Sequence, residues 1–295
     1  MTTPQVLVLA GPTAAGKSAA ALWVAEQYGA TIVSADAMQV YRRFDIGTAK
    51  ATAEERARVP HVGIDVVEPE EPFDAADFVA LADAAMAAGR VVLAGGTHFY
   101  LRSFQRGLVE TPPVDPALRA QLEARSDLHQ ELAKVDPALA ARLHPNDQLR
   151  LVRGLEVFLA TGRRLSELQA AHATAPDRVH ARGLWLDRND LGERIDRRVD
   201  AMMAAGYLDE VRGLLDAGVS RQAKPMLSLG YRHLCDHLLD ELPLPEAVRR
   251  TARDTRHFAR KQRTWLRNLG YPQVTGDAMD AVKAAAAEVW GPPGA

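Results

Sequence analysis

Val6-Leu7-Val8-Leu9-Ala10, followed by Gly11-Pro12-Thr13-Ala14-Ala15-Gly16-Lys17-Ser18, is the stretch on which the fold turns. The first five residues make a short buried-strand run, and Lys17–Tyr28 has helical apolar spacing, so the octapeptide between them joins a strand to a helix. It matches the P-loop pattern G-x-x-x-x-G-K-[ST]. Its glycines let backbone N–H groups close around phosphate oxygens, and the helix N-terminus adds partial positive charge. Lys17 reaches a phosphate, and Ser18 can hold Mg²⁺. Alone, the motif implies a diphosphate or triphosphate ligand, and most proteins that carry it are kinases or NTPases.

Outward from the P-loop, strand and helix signals alternate. Thr31–Asp36 reads as a second strand, Ala75–Ala88 as a helix and Arg90–Gly95 as a third strand. Strands separated by helices imply an α/β fold, a P-loop NTPase-like parallel sheet with helices on both faces. Pro112-Pro113 breaks the pattern, and from Asp115 to about His172 only helical periodicity remains, punctuated by Asp136-Pro137, His144-Pro145-Asn146-Asp147 and Thr161-Gly162. Gly183–Asp187 returns as a strand. One amphipathic helix is expected from about Leu191 to Leu215, with Ile195, Val199, Met202 and Val211 on its apolar side, and others over 230–239 and 245–269. The expected organisation is a P-loop core of residues 1–112 and 184–295 interrupted by an all-helical insertion at 113–183.

With 295 residues, 47% hydrophobic and 25% charged, the chain can bury a sizeable core. The single Cys235 excludes an internal disulfide, no apolar run approaches the roughly 18 residues of a membrane span, and residues 1–5 lack the basic start of a signal peptide. These readings place the protein in the cytoplasm, away from membranes. The histidines show no metal-ligand spacing with Cys or acids, so a zinc site is not expected.

Two further places bear on chemistry. Asp36 ends the second strand in Ser34-Ala35-Asp36-Ala37-Met38-Gln39, and in a doubly wound sheet that strand end faces the same crevice as the P-loop. Position alone leaves three roles open for Asp36: metal ligand, general base or helix N-cap. The four-apolar-then-Asp metal strand of an NTPase is not found in its usual place. Gly95-Gly96-Thr97 follows the third strand, so the Thr97 hydroxyl points at that edge too, although a Gly-Gly turn capped by Thr is the plainer reading.

Net charge is −2, yet between Arg249 and Arg267 there are eight Arg/Lys and one acid, Asp254. On a helix, Arg249, Arg253, Arg256, Arg260, Arg263 and Arg267 form one stripe, with Phe258, Trp265 and Leu269 on the opposite side. The expectation is a helix docked through its aromatics that presents arginines outward, with too few acids in the segment to neutralise them. Such a stripe suits the phosphates of a nucleic acid.

Together these motifs resemble the tRNA dimethylallyltransferase family, the IPP transferases of bacterial type. The resemblance runs through GPTAAGKS at 11–18, SADAMQVYRRFDIGTAK at 34–50, VPHVGIDVVEP at 59–69, GGTHFYL at 95–101, HPND at 144–147, RIDRRVDAMMAAGYLDEV at 194–211, LGYRHL at 229–234 and TRHFARKQRTWLR at 255–267. It implies transfer of a dimethylallyl group from dimethylallyl diphosphate to N6 of adenosine 37 in tRNAs that read codons beginning with U. It also implies Mg²⁺ as cofactor, the anticodon stem-loop of tRNA as partner and a monomeric enzyme. By this resemblance Asp36 is the general base, because the delocalised lone pair of an adenine amine gains from a carboxylate that takes its proton. Thr97 helps hold the amine, and Arg198 supports the diphosphate side with Gly11, Pro12, Thr13, Ala14, Ala15, Gly16, Lys17 and Ser18. Asp36, Ala37, Met38, Gln39, Thr97, Arg119, Arg150, Arg153, Arg232, Arg256, Arg260 and Arg263 are the implied tRNA contacts, the helical insertion among the elements that meet tRNA. The chain departs from the family pattern at Leu149 and His233, where the family has Gln, and at Leu227, where it has Arg.

Overall fold

The computed structural model describes residues 6–113 and 115–293; residues 1–5, on which the absence of a signal peptide was read, lie outside them. The elements in chain order are β1 (Val6–Ala10), α1 (Lys17–Tyr28), β2 (Thr31–Ala35), α2 (Ala53–Arg58), β3 (His61–Val62), α3 (Ala75–Ala88), β4 (Val91–Gly95) and α4 (His98–Arg106). Five helices follow: α5 (Pro116–Glu123), α6 (Leu128–Val135), α7 (Pro137–Ala140), α8 (Gln148–Thr161) and α9 (Leu165–Thr174). The chain then runs through β5 (Ala181–Asp187), α10 (Leu191–Ala204), α11 (Tyr207–Asp216), α12 (Tyr231–Leu239), α13 (Leu244–Leu266), β6 (Gln273–Thr275) and α14 (Met279–Trp290).

The six strands form one parallel sheet in the order β3-β2-β4-β1-β5-β6. Every residue of β1 is buried, as a strand covered on both faces requires. Its side chains alternate between two cores: Val6, Val8 and Ala10 join Val33, Leu93 and Phe104 on one face, while Leu7 and Leu9 join Val24, Leu184 and Val282 on the other. The carboxyl ends of β1, β2 and β4 therefore open on one edge, held by packing above and below.

The chain divides into two compact units, Arg106–Asp177 and the remainder. The boundaries differ from the expected 113–183 for a local reason at each end. Arg106 donates to the carbonyls of Ala173 and Ala175 at 2.8 and 3.0 Å, which ties it to the helical unit. Arg178 and Val179 donate through their N–H groups to the Gln105 carbonyl at 2.8 and 3.1 Å, and the Arg178 guanidinium bonds Asp83, which ties 178–183 to the sheet unit. The helical unit has a core of its own, including Leu132, Leu139, Leu151, Val152, Leu155 and Val157.

Three differences from the expected elements have plain causes. The single helix over 191–215 is two, because Gly206 takes φ 97° and ends α10 before α11 begins. Beyond the last expected helix the chain forms α14, whose Val282, Ala285, Ala286 and Val289 pack on the face that α1 covers. The short strands β3 and β6 are two and three residues long, too short to carry a period.

Candidate active site

The P-loop leaves β1 at Gly11, where a Cβ would lie 2.5 Å from the Leu186 carbonyl oxygen, so only glycine fits the turn. Ala14 and Gly16 both adopt positive φ, 63° and 98°, and Gly16 is the N-cap of α1 without a side-chain cap. The turn uses two of its own N–H groups, Thr13 on Gln262 and Ala15 on the Pro12 carbonyl, and delivers the uncapped, partly positive start of α1 to the cavity. Lys17 Nζ donates to the Pro12 carbonyl at 2.7 Å, folded back over the loop. Its ammonium sits in a desolvated spot beside the Arg198 guanidinium, and these two effects lower its pKa to about 8 against a smaller opposing pull from Asp36. Ser18 is exposed at the first turn of α1.

The strand ends beside it supply the other groups. Asp36 follows β2 and accepts the Met38 N–H through Oδ1 at 2.8 Å, an Asx turn that fixes its carboxylate. Thr97 follows β4, and its Oγ1 accepts the Ala37 N–H at 3.1 Å while its own N–H donates to the Ala35 carbonyl at 3.1 Å. The Thr97 hydroxyl proton stays available to another acceptor. Gln39 is engaged at both ends of its amide: Oε1 accepts from Ser34 Oγ at 2.7 Å, and Nε2 donates to the carbonyls of Thr48 and Ala49.

These groups line a cavity of about 720 Å³. Lys17, Arg194, Arg198 and Lys261 face it as cations, and Asp36 is the carboxylate among its lining residues. Burial lowers the Arg198 pKa, with Asp36 pulling the other way. The rest of the wall is apolar, including Ile195, Val199, Met202, Phe258 and Trp265. A cationic end beside an apolar wall suits a ligand with a phosphate head and a hydrocarbon tail.

Several residues at this site carried no sequence signal of their role. Gln262 on α13 accepts the Thr13 N–H at 3.0 Å and donates to the Gly96 carbonyl at 3.1 Å. Arg194 donates to the Ala14 carbonyl at 2.8 Å. Lys50, with a side chain 1% exposed, holds Tyr41 O, Asp45 and Asp65 at 2.6, 2.9 and 2.6 Å. His98 lines the cavity against Trp265, with ring centroids 5.8 Å apart and Nε2 buried without a partner. Its pKa is lowered by burial and then by Arg102. The only signal for Gln262 and Lys50 was their presence in long family-like motifs, which does not say what a side chain touches.

The arginine stripe differs from expectation in two ways. Phe258 and Trp265 do not dock α13; they are 44% and 53% exposed, and the helix packs through Ala247, Thr251, Ala259, Gln262 and Leu266. The stripe is also largely neutralised, half by acids on α13 itself and half by acids from elsewhere in the fold. Arg249 pairs with Glu246, Arg253 with Asp254, Arg256 with Asp196, and Arg263 with Asp187 at 2.8 Å. Arg260 and Arg267 have no carboxylate partner among the described residues. Arg232 bonds Asp254 at 2.6 Å, and Asp254 also meets the buried His233 at 3.0 Å. In the helical unit Arg119 forms a bidentate pair with buried Glu156, which Arg153 joins at 3.2 Å, and exposed Arg150 pairs with Asp147. Leu149 and Leu227 are exposed.

A parallel sheet with a P-loop after β1 and a carboxylate after β2, both opening on one half-apolar cavity, defines a P-loop protein equipped to act on a phosphate ester. The IPP transferase family model matches residues 39–269, and the isopentenyl transferase model matches residues 4–68. The chain belongs to the IPP transferase family. It is 49% identical over 276 residues to a tRNA dimethylallyltransferase of Geobacter metallireducens, covering 89% of each chain. It is 50% identical over 276 residues to one of an Anaeromyxobacter species, covering 89% of this chain and 90% of that one. Among solved structures it is similar to a full-length tRNA isopentenylpyrophosphate transferase of Bacillus halodurans, at 33% identity, 96% and 94% coverage and a TM-score of 0.68. A eukaryotic dimethylallyltransferase acting on tRNA shares the fold, with a TM-score of 0.85 at 24% identity over 99% of this chain and 81% of that one.

Proposed function

We propose that this protein transfers the dimethylallyl group of dimethylallyl diphosphate to N6 of adenosine 37 in tRNA. The observation that supports this most is that Asp36 and Thr97 stand at the same sheet edge as the P-loop, lining one cavity with Lys17 and Arg198. The diphosphate lies on the P-loop N–H groups and Lys17, with Arg198 beside it, and the five-carbon tail lies on the apolar wall. The adenine, turned out of the anticodon-loop stack, brings its amine to Asp36 and Thr97. N6 forms a bond to C1 of the donor as the C1–oxygen bond breaks, and the diphosphate leaves with the bonding electrons. The N6 proton passes to the Asp36 carboxylate. Charge grows on the leaving diphosphate, where Lys17, Arg198 and the start of α1 already point.

Among the described residues no group of three or more His, Cys, Asp or Glu is placed to hold a metal ion. Hydroxyl and carboxylate oxygens are present at the cavity in Ser18 and Asp36. That set fits Mg²⁺, which is bound through one or two protein oxygens plus substrate phosphates and water. Ser18 would hold it, and when bound it would neutralise charge on the diphosphate.

The tRNA approaches through arginines. Arg260 has no carboxylate partner among the described residues, whereas Arg232, Arg256 and Arg263, like Arg119, Arg150 and Arg153, exchange or share an internal carboxylate to meet a phosphate. Among the described residues no helix is long and apolar enough to cross a membrane. One assay tests the reading: purified protein with labelled dimethylallyl diphosphate, Mg²⁺, and either tRNA or AMP, beside an ATP-consumption control. Label is expected in tRNA; label in AMP alone, or ATP turnover without label transfer, would sink it.

A further inference from the structure

A buried amide that touches both halves of the site lies outside every role assigned so far. Gln262 projects from α13 into the junction between the P-loop and the turn after β4, and it is 8% exposed. Its carbonyl oxygen takes the N–H of Thr13, and its amide nitrogen gives to the carbonyl of Gly96. Gly96 has no room for a Cβ against that amide nitrogen, so the approach of the two is built in on both sides. Thr97 is the next residue, and its N–H is pinned in turn to Ala35, the residue before Asp36. An unbroken chain of hydrogen bonds therefore runs from the P-loop through Gln262 and Gly96 to Thr97 and the Asp36 strand end.

We propose that Gln262 is a positioning residue for the transfer, one that fixes the spacing between the diphosphate on the P-loop and the amine held at Asp36 and Thr97. This rests on the function proposed above. The two strand ends could drift without unfolding the sheet, because β1 and β4 are joined by register pairs that stop at Ala10 and Gly95. Beyond those residues, among the described residues, the amide of Gln262 is the side chain that bonds both loops directly. In-line displacement is sensitive to this spacing: misplacing reacting atoms by about 1 Å costs on the order of 10²-fold in rate. Thr13 N–H, held by Gln262, is also withdrawn from the phosphate. The loop thereby presents its remaining donors and the start of α1 in one orientation.

Two substitutions separate positioning from general structure. Gln262→Leu keeps approximate shape and breaks both bonds. Gln262→Glu keeps an acceptor for Thr13 N–H but sets a second oxygen against the Gly96 carbonyl. That repulsion disappears when the new carboxyl is protonated, since burial against a carbonyl raises its pKa and the acid form can donate as the amide does. The measurements are thermal midpoint, dimethylallyl diphosphate affinity by calorimetry, and single-turnover transfer to tRNA with both substrates saturating. Gln262→Leu is expected to lose about 10²-fold in saturated rate with less than tenfold loss of donor affinity. Gln262→Glu is expected to lose at least tenfold at pH 8.5 and to recover most of that, relative to wild type, at pH 6. A folded variant with saturated rates within twofold of wild type at both pH values overturns the proposal. So does a loss in Gln262→Glu that is the same at pH 6 and 8.5, or failure of both variants to fold, since either assigns Gln262 a purely structural role. If the wild type itself moves no label to tRNA, the failure belongs to the functional reading and not to Gln262.

Discussion

The loops that follow β1 and β2 leave the same edge of the sheet, yet they are constructed on opposite plans. The P-loop keeps donors in hand: α1 has no side-chain cap, Ser18 is exposed, and the cations Lys17 and Arg198 feel the field of Asp36 without an ion pair to it among the described residues. Residues 36–50 keep almost nothing in hand. Gln39 closes the segment on Thr48 and Ala49, and Glu210 of α11 accepts the N–H groups of Asp45, Ile46 and Gly47 at 2.7–3.1 Å and the Tyr231 hydroxyl at 2.6 Å. Lys50 is buried on a carbonyl and two carboxylates. The difference separates two tasks. On the proposed function, affinity comes from the loop with unmet donors, and chemistry comes from one carboxylate on a loop that has spent its own.

That contrast can be broken from either side. The largest effect is expected from Asp36→Asn, which retains an oxygen for the Met38 N–H and removes the proton acceptor; single-turnover transfer should fall about 10³-fold while donor affinity stays within twofold. Near-normal turnover would take the base role from Asp36. Next is Lys17→Met on the binding loop, expected to lower kcat/KM about 10²-fold through donor affinity and kcat together, because the same ammonium meets the diphosphate both bound and leaving. A loss confined to kcat would blur the division of labour. Lys50→Met tests the rigid loop through stability: Asp65 keeps Arg56 at 2.6 Å, so the expected loss is about 2–3 kcal/mol, below that for stripping a buried pair entirely. Denaturant titration would read it, and a change below 0.5 kcal/mol would mean that the loop is held without Lys50.

The smallest effect concerns pH. Because desolvation and then Arg198 lower the Lys17 pKa to about 8, its charge is present below that value and is lost as pH rises through it. Dimethylallyl diphosphate affinity should therefore weaken about tenfold between pH 7 and 9, whereas a lysine of ordinary pKa would leave it flat. The Lys17→Met variant should lose this dependence; a slope that persists in it must come from another group.

The folding plan was legible where physics is local. Val6–Ala10, Lys17–Tyr28 and Ala75–Ala88 were read from apolar runs and spacing with the bounds that the structure has. The edge that gathers the P-loop, Asp36 and Thr97 followed from strand ends in a parallel sheet. What stayed hidden depends on partners distant in sequence. Arg256 and Arg263 looked unneutralised because Asp196 and Asp187 lie some 60–80 positions away, whereas Arg249 and Arg253 are met by the local Glu246 and Asp254. Phe258 and Trp265 looked like a docking face because hydrophobicity does not say whether an aromatic meets core or cavity. Gln262, polar and buried, gives no periodic signal at all. The tie between Thr13 and Gly96 appears only when α13 is laid across both loops.

Strand order has a last consequence, for the time at which this site can exist. β1 sits between β4 and β5, and Ala10 pairs with both Gly95 and Trp185. On a ribosome adding about 5–20 residues per second, the P-loop strand waits on the order of 10–35 s for its second neighbour, with one edge unpaired. The face beneath α1 waits longer still, for Val282 and Val289 of α14. The contiguous helices between Arg106 and Asp177 need no such delay, since their core comes from one stretch of chain. The nascent protein therefore carries its P-loop strand with an open edge, a natural ligand for a chaperone, until β5 has emerged, and an incomplete face beneath α1 until α14 follows.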